Sequence, residues 1–308
     1  MKNVVVIGGG HGLSTIVKGI KEIEDINISA IVTVADDGGS TGRIREYYSI
    51  PAMGDIRAVM LALSQADSLS NDLMDYRFAG ANKEDVIGHS LGNLILTALT
   101  NMTGSFEIAI KTLSKYLNIK GNIIPSTLQC VTLLAKMFDG SIIEGEKNIP
   151  NQNTNISEVF YKDEVKANPE AIKAIENADL IIYGIGSLYT SILPNTIIDG
   201  ISCSLNNTKA KKVYFANCMT QAVETYNFDL KDHIDALDKH NTPVDIVVVH
   251  SNIIPEEIKK RYLDRNSIEV DTHRDCQKQV LSFDLLKFDN GLVRHDSEKI
   301  KKVVESLL

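Results

Sequence analysis

Apolar positions along the chain follow two alternating periods. Residues 3–7, Asn3-Val4-Val5-Val6-Ile7, form a β-branched run closed by glycines, which predicts a buried strand. Leu13, Ile16, Val17, Ile20 and Ile23 then recur at helical spacing. Residues 28–35 predict a second strand, ending in Asp36-Asp37-Gly38-Gly39. Ile56, Val59, Met60 and Leu63 share one helix face, with Asp55 placed as an N-cap. Residues 90–117 read as helical, with a break at Gly104. Strands are expected at 122–125, 128–137 and 141–147. The segment 148–156 is polar and turn-rich, a surface loop or the edge of an inserted subdomain at about 120–165. Residues 180–183, 213–216 and 246–249 predict further buried strands, and Asp296 caps a helix over 296–308.

Strands alternating with helices imply an α/β fold with a mostly parallel sheet and helices on both faces. With the small inserted β region, the expectation is a single domain over residues 1–308. In such sheets ligands sit beyond the carboxyl ends of the strands, so the chemistry should lie just after each strand.

Composition narrows the picture. The chain has 308 residues, 44% hydrophobic and 23% charged, which excludes disorder, collagen-like repeats and a small disulfide scaffold. Lys and Arg total 32 against 40 Asp and Glu, a net charge of −8. Such a protein has no generic attraction for nucleic acid or anionic membrane. Phosphate binding would have to be local, through backbone amides and a few arginines. No apolar stretch approaches the ~18 residues of a membrane helix. The amino terminus runs straight into the first strand without the pattern of a signal peptide. Cys130, Cys203, Cys218 and Cys276 show neither CxxC nor zinc spacing. They read as reduced thiols of a cytoplasmic protein.

Six segments carry candidate chemistry. Gly8-Gly9-Gly10-His11-Gly12-Leu13 joins a strand to a helix, where backbone N–H groups and the helix dipole favour an anion. Gly8 and Gly10 fit the dinucleotide fingerprint, but Leu13 holds its third position and no Walker lysine follows. His11 is either a ligand contact or a polar loop residue. The second segment is Asp36-Asp37-Gly38-Gly39-Ser40-Thr41-Gly42-Arg43. A carboxylate there can hold Mg²⁺, which can neutralise a diphosphate. Ser40 and Thr41 can donate to phosphate oxygens, and Arg43 can clamp one.

In Gly54-Asp55-Ile56-Arg57, Asp55 is either the helix cap or a second metal carboxylate beside Asp37. In Gly88-His89-Ser90-Leu91-Gly92-Asn93, His89 and Asn93 are four apart, and His89 suits an acid/base or phosphate-donor role. Gly184-Ile185-Gly186-Ser187-Leu188-Tyr189 is a second glycine turn after a buried strand, with Tyr189 offering a stacking surface or a phenol. Two such turns suggest one elongated ligand across the switch point. Finally, Asn217, Thr220 and Gln221 follow another strand, and Asn217 and Gln221 can read the amide and carbonyl edges of a base or an N-acyl sugar.

Together these segments resemble the gluconeogenesis factor (YvcK-type) family, related to 2-phospho-L-lactate transferase (CofD-like). The likeness runs from Val4 to about Asp245 and rests on six motifs in order. They are GGGHG at 8–12, ADDGGSTGR at 35–43, GDIR at 54–57, GHSLGN at 88–93, GSLYTSILPN at 186–195 and MTQ at 219–221. The resemblance implies a modified Rossmann sheet. Its transferase branch moves a phospholactyl group from a guanosine diphosphate-activated donor, with Mg²⁺. Its gluconeogenesis-factor branch is cytoplasmic, binds UDP-sugars and supports normal cell shape during gluconeogenic growth. The wording of the motifs is closer to this second branch. Carried over, Asp37 and Asp55 match acidic positions that hold metal or phosphate, and a homodimer is common in the family. The chain departs from the pattern at Pro51-Ala52-Met53-Gly54, where Pro-Pro-Gly is usual, at Ile185, where Pro is frequent, and at Ala222-Val223, where Pro-Gly commonly follows the Gln.

Three functions follow as expectations: a nucleotide-sugar-binding gluconeogenesis factor, a transferase with Asp37, Asp55 and His89 as catalytic residues, and an NAD-linked oxidoreductase. Leu13 and the Asp-Asp-Gly-Gly loop argue against the last.

Overall fold

A computed structural model describes residues 1–80 and 86–308. In chain order its elements are β1 (Lys2–Gly8), α1 (Gly10–Ile20), β2 (Ile26–Val32), α2 (Gly39–Tyr48), α3 (Gly54–Leu63) and α4 (Ser68–Asp75). Next come α5 (Leu91–Thr103), α6 (Phe106–Tyr116), β3 (Asn122–Pro125), β4 (Leu133–Met137), β5 (Ile142–Glu144) and β6 (Ile156–Tyr161). The second half holds α7 (Pro169–Glu176), β7 (Leu180–Tyr183), α8 (Leu193–Thr196), α9 (Asp199–Asn207), β8 (Lys211–Phe215) and α10 (Leu230–Lys239). The chain closes with β9 (Ile246–His250), α11 (Glu256–Leu263), β10 (Gln279–Phe283), β11 (Leu286–Asp289), β12 (Leu292–His295) and α12 (Ser297–Leu307).

Seven strands form one parallel sheet in the order β10-β9-β8-β7-β1-β2-β3. β1 is central. The chain first moves outward to β2 and β3, then returns to lay β7 on the other side of β1. The order therefore reverses between β1 and β7, and the crevice beyond their carboxyl ends is the natural ligand site. Every residue of β7 and residues 4–8 of β1 are buried, so both faces of the sheet are covered. This is the expected α/β fold.

The antiparallel sheet β5-β4-β6 stands apart from the main one, whereas β3 belongs to the main sheet. The separate β region is thus narrower than 120–165. Residues 128–132 are not strand as expected: Thr127 Oγ1 accepts from the Gln129 amide (3.2 Å) and turns the chain. β5 ends at Glu144 because Gly145 takes φ +89° and a 3₁₀ helix, Glu146–Asn151, begins. The helical stretch 90–117 breaks at Gly104, in the left-handed region, with Ser90 and Ser105 capping α5 and α6. Asp296 caps α12 as expected. Asp55 is not a cap: Met53 holds the N-cap of α3, and the Asp55 carboxylate turns toward the first glycine loop.

His240 fastens the inserted sheet. Its Nε2 accepts the Val159 amide of β6 (3.0 Å), and its Nδ1 lies 2.7 Å from the Ala236 carbonyl oxygen. Burial holds its protonation below the ordinary 6.5. A folded-state value below the unfolded one favours folding above that unfolded value and loses the benefit as pH falls. Protonated Nε2 can no longer accept from Val159. Hydrogen exchange should therefore show Val159 losing protection as pH drops below 6.5, while Val5 in the central strand keeps it; equal loss at both would contradict this.

Candidate functional site

The two glycine turns meet backbone to backbone. A Cβ on Gly12 would overlap the Ile185 carbonyl and stand 2.8 Å from the Gly186 amide nitrogen. Only hydrogen fits there, so α1 begins directly against the turn after β7. Gly9 is equally confined, with Thr33 Cγ2 at 2.6 Å from a Cβ position and the Asp55 carboxylate closer still. The Gly10 amide donates to Asp55, which leaves the His11 and Gly12 amides at the open helix end.

Two cavities open on either side of His11. One, about 460 Å³, is lined by Gly10, His11, Asp36, Ser40, Asp55 and Arg57 among others. The other, about 450 Å³, is lined by His11, Gly12, Gly186, Gln221 and His295 among others. A third groove of about 600 Å³ lies at the amino ends of β1, β2 and β3, lined by Asn3, Asn27 and Asn122, away from the six motifs.

The first cavity is acidic on its floor. Asp55 is pushed up to about 7 by burial and by Asp36, against the Gly10 amide and Arg57. Its acidic neighbour is Asp36, not Asp37 as expected. Asp37 turns outward, and its Oδ1 accepts the Lys147 amide (2.8 Å). Asp36 Oδ1 accepts the Gly38 amide (2.8 Å), and its backbone carbonyl accepts from Arg45 (2.7 Å). Thr41 is buried and lines the cavity beside Gly54.

Ser40 does not stand free for a phosphate. Its Oγ lies 2.8 Å from His89 Nδ1 and accepts the Asn93 amide (3.1 Å). His89 and Asn93 converge on it although α5 begins only at Leu91, so they do not share a helix face. Burial, with Arg43 and Arg77 nearby, lowers the pKa of His89. Arg43 reaches the Ile87 carbonyl (2.6 Å) instead of the cavity, which Arg57 and Arg77 line. Arg57 is buried and ion-paired to Asp75.

Around the second cavity, Asn217 is committed to the loop: its amide donates to the Gly186 carbonyl (2.8 Å) and its Oδ1 accepts the Gly186 amide (3.4 Å). These two bonds brace the second glycine turn, and Asn217 also lines the cavity. Thr220 is buried and its Oγ1 accepts the Ile268 amide (2.9 Å). Tyr189 is 2% exposed, packed edge-on to Phe228 and His240, so its ring offers no stacking surface. Ser187 donates to the buried Glu224, which Thr190 also contacts.

Sequence reasoning missed Glu224, Glu146, Arg57 and Arg77. Glu146 is pushed up to about 7 by burial and by Asp36, Glu224, Asp37 and Asp55, so the 3₁₀ helix brings a further carboxyl to this edge. Arg57 left a signal: it precedes Met60 by three residues, on the buried face of α3. Glu146 and Glu224 sit in irregular segments where no periodicity marks them.

Among the described residues, no three His, Cys, Asp or Glu side chains converge to hold a metal ion alone. Mg²⁺ is commonly held by one or two carboxylates with ligand phosphates completing its shell. Asp36 and Asp55 line the same cavity, where a bound cation would offset the repulsion that Asp36 exerts on Asp55.

Comparison with known proteins identifies the family. Residues 4–286 match the family described as 2-phospho-L-lactate transferase CofD. The chain belongs to that family. It is 43% identical to the gluconeogenesis factor of Bacillus subtilis, over 99% of this chain and 98% of that protein. It is also 43% identical to the gluconeogenesis factor of Listeria monocytogenes, over 99% of this chain and 95% of the relative. The crystal structure of a UPF0052 family member from Bacillus halodurans superposes with a TM-score of 0.94 at 37% identity, covering 99% of each chain. No helix among the described residues is long and apolar enough to cross a membrane.

Two predictions follow from the contacts. Gly12→Ala should destabilise the fold by about 1–3 kcal/mol, the usual cost of overpacking, measured by urea unfolding; an unchanged midpoint would mean the turns are not in contact. For Asp55, a folded-state value of about 7 against 3.8 means stability is lost as pH rises through that window. Asp55→Asn should therefore raise the melting temperature of metal-free protein at pH 8 and leave it nearly unchanged at pH 4.

Proposed function

We propose that this chain is a cytoplasmic gluconeogenesis factor that binds a nucleotide sugar, specifically a UDP-sugar, and supports normal cell shape during gluconeogenic growth. The observation that carries this reading is the meeting of the two glycine turns at Gly12 and Ile185, with a cavity on either side of His11. An elongated diphosphate suits that shape. Its phosphates would lie at the His11 and Gly12 amides, where the dipole of α1 favours negative charge. One end of the ligand would enter each cavity.

Mg²⁺, held by Asp36 and Asp55, would neutralise phosphate charge that these carboxylates otherwise repel. Arg57 and Arg77 add positive charge to the same wall. The acidic floor also suits hydroxyl groups, which donate to carboxylates.

A second reading is favoured by the Ser40–His89 contact: a transferase of the 2-phospho-L-lactate type acting on a guanosine diphosphate-activated donor. His89, held neutral, would accept a proton, with Ser40 and Asn93 fixing its surroundings. Binding and positioning would supply most of the rate.

Calorimetry with UDP-N-acetylglucosamine and Mg²⁺ tests the first reading. Saturable binding at one site per chain is expected, weakened at least about tenfold by Gly12→Val, as for loss of a backbone-lined anion site. No heat at millimolar ligand would overturn it. The second reading expects Mg²⁺-dependent release of guanosine monophosphate from the activated donor, lost in Asp55→Asn and reduced in His89→Ala. In cells lacking the gene, the wild-type chain should restore shape on gluconeogenic carbon and the Gly12→Val chain should not.

A further inference from the structure

Ser40 and His89 meet at the wall of the acidic cavity. Ser40 lines that cavity and is 8% exposed. Asn93 Nδ2 donates to its Oγ (3.1 Å), and His89 Nδ1 lies 2.8 Å from the same oxygen. The Asn93 nitrogen is itself a donor, so His89 Nδ1 is the acceptor that this contact offers to the Ser40 hydrogen. Burial, with Arg43 and Arg77 nearby, holds His89 below its ordinary 6.5, so the imidazole is neutral at neutral pH.

The loop that carries His89 is braced from several directions. The His89 amide donates to the Val86 carbonyl, and the His89 carbonyl accepts the Phe78 amide, both at 3.0 Å. Arg43 donates to the Ile87 carbonyl (2.6 Å) and Arg77 to the Gly88 carbonyl (2.7 Å). Ser40 is the second residue of α2, in the turn whose first amides precede the bond from Gly42 to Gly38. That end of the helix favours negative charge, and Arg57 and Arg77 line the same cavity. A serine that only gripped a phosphate would give its hydrogen to the ligand. Here the hydrogen goes to a base and an amide supports the oxygen, which is the arrangement of an activated nucleophile.

We propose that Ser40 is a nucleophile activated by His89 and that the chain cleaves a phosphoanhydride through a covalent intermediate on Ser40; the choice of substrate rests on the diphosphate reading above. Ser40 Oγ bonds to the phosphorus remote from the nucleoside, and the bridging P–O bond breaks. The Ser40 proton passes to His89 and from there to the departing nucleoside monophosphate. His89 then takes a proton from water, which attacks the phosphorus. The Oγ–P bond breaks and Ser40 recovers its hydrogen. A UDP-sugar and water thus give uridine monophosphate and a sugar 1-phosphate. An acceptor hydroxyl in place of water turns the same intermediate into a transfer reaction.

Methanesulfonyl fluoride tests the nucleophile without any nucleotide. Attack by Ser40 forms an O–S bond, expels fluoride and leaves a mass increase on the peptide that holds residue 40. Wild type should be sulfonylated at Ser40 in its folded state and not in urea. His89→Ala should be labelled about 100-fold more slowly, the scale of a lost general base. A folded wild type left unmodified at Ser40 overturns the inference, whether or not the variants fold. So does a folded His89→Ala labelled as fast as wild type. With UDP-N-acetylglucosamine, wild type should release uridine monophosphate and Ser40→Ala should not; equal release by a folded Ser40→Ala also overturns it. Failure of wild type to bind this nucleotide sugar, with Ser40 still labelled, would overturn the nucleotide reading and leave the activated serine standing.

Discussion

The direct contact of Gly12 with the Ile185–Gly186 peptide is the constraint from which the rest of the site follows. It exists because β1 and β7 are neighbours at the point where strand order reverses. Two strand-to-helix turns that are more than 170 residues apart in the chain are thereby pressed into one ridge. The ridge carries the open amino end of α1 and divides the carboxyl edge of the sheet into two cavities. A side chain at residue 12 would push the turns apart and, with them, both cavity walls.

Charge is distributed unevenly along this edge. Asp36, Asp55 and Glu146 crowd one side, and two of them are pushed up to about 7 by burial and mutual repulsion. Ionising Asp55 or Glu146 in this setting costs free energy. Such strain is commonly kept where a cation or a polar ligand is to be bound. The arginines show the opposite economy of placement. Arg43, Arg45 and Arg77 all donate to backbone carbonyls, but only Arg77, with the Asp75-paired Arg57, also lines the cavity. An arginine in a motif is therefore not by itself an anion clamp; what matters is which carbonyl lies within reach of it.

Much of the fold was legible from apolar periodicity, because buried parallel strands are short and nearly continuous in sequence. β1, β7, β8 and β9 were all marked this way. β10, β11 and β12 were not, since they are half-exposed and lack an apolar run. The motif segments were also legible as neighbours in space, through the rule that ligands sit beyond strand ends. Individual side chains were less so. Asp55 reads as a cap from its position before an apolar run, yet the nearby Gly10 amide draws it inward. Tyr189 reads as a ring on a loop, yet Phe228 and His240, distant in the chain, enclose it. Asn217 reads as a free amide, yet the Gly186 peptide takes both of its ends. In each case the deciding partner lies across the fold, where spacing along the chain carries no information.

The most direct measurement is a crystal structure of this chain with UDP-N-acetylglucosamine and Mg²⁺. The account predicts the diphosphate beside the backbone amides of His11 and Gly12, with density entering both adjoining cavities. Density for the ligand in the groove between Asn3, Asn27 and Asn122, with the Gly12–Ile185 ridge bare, would contradict it.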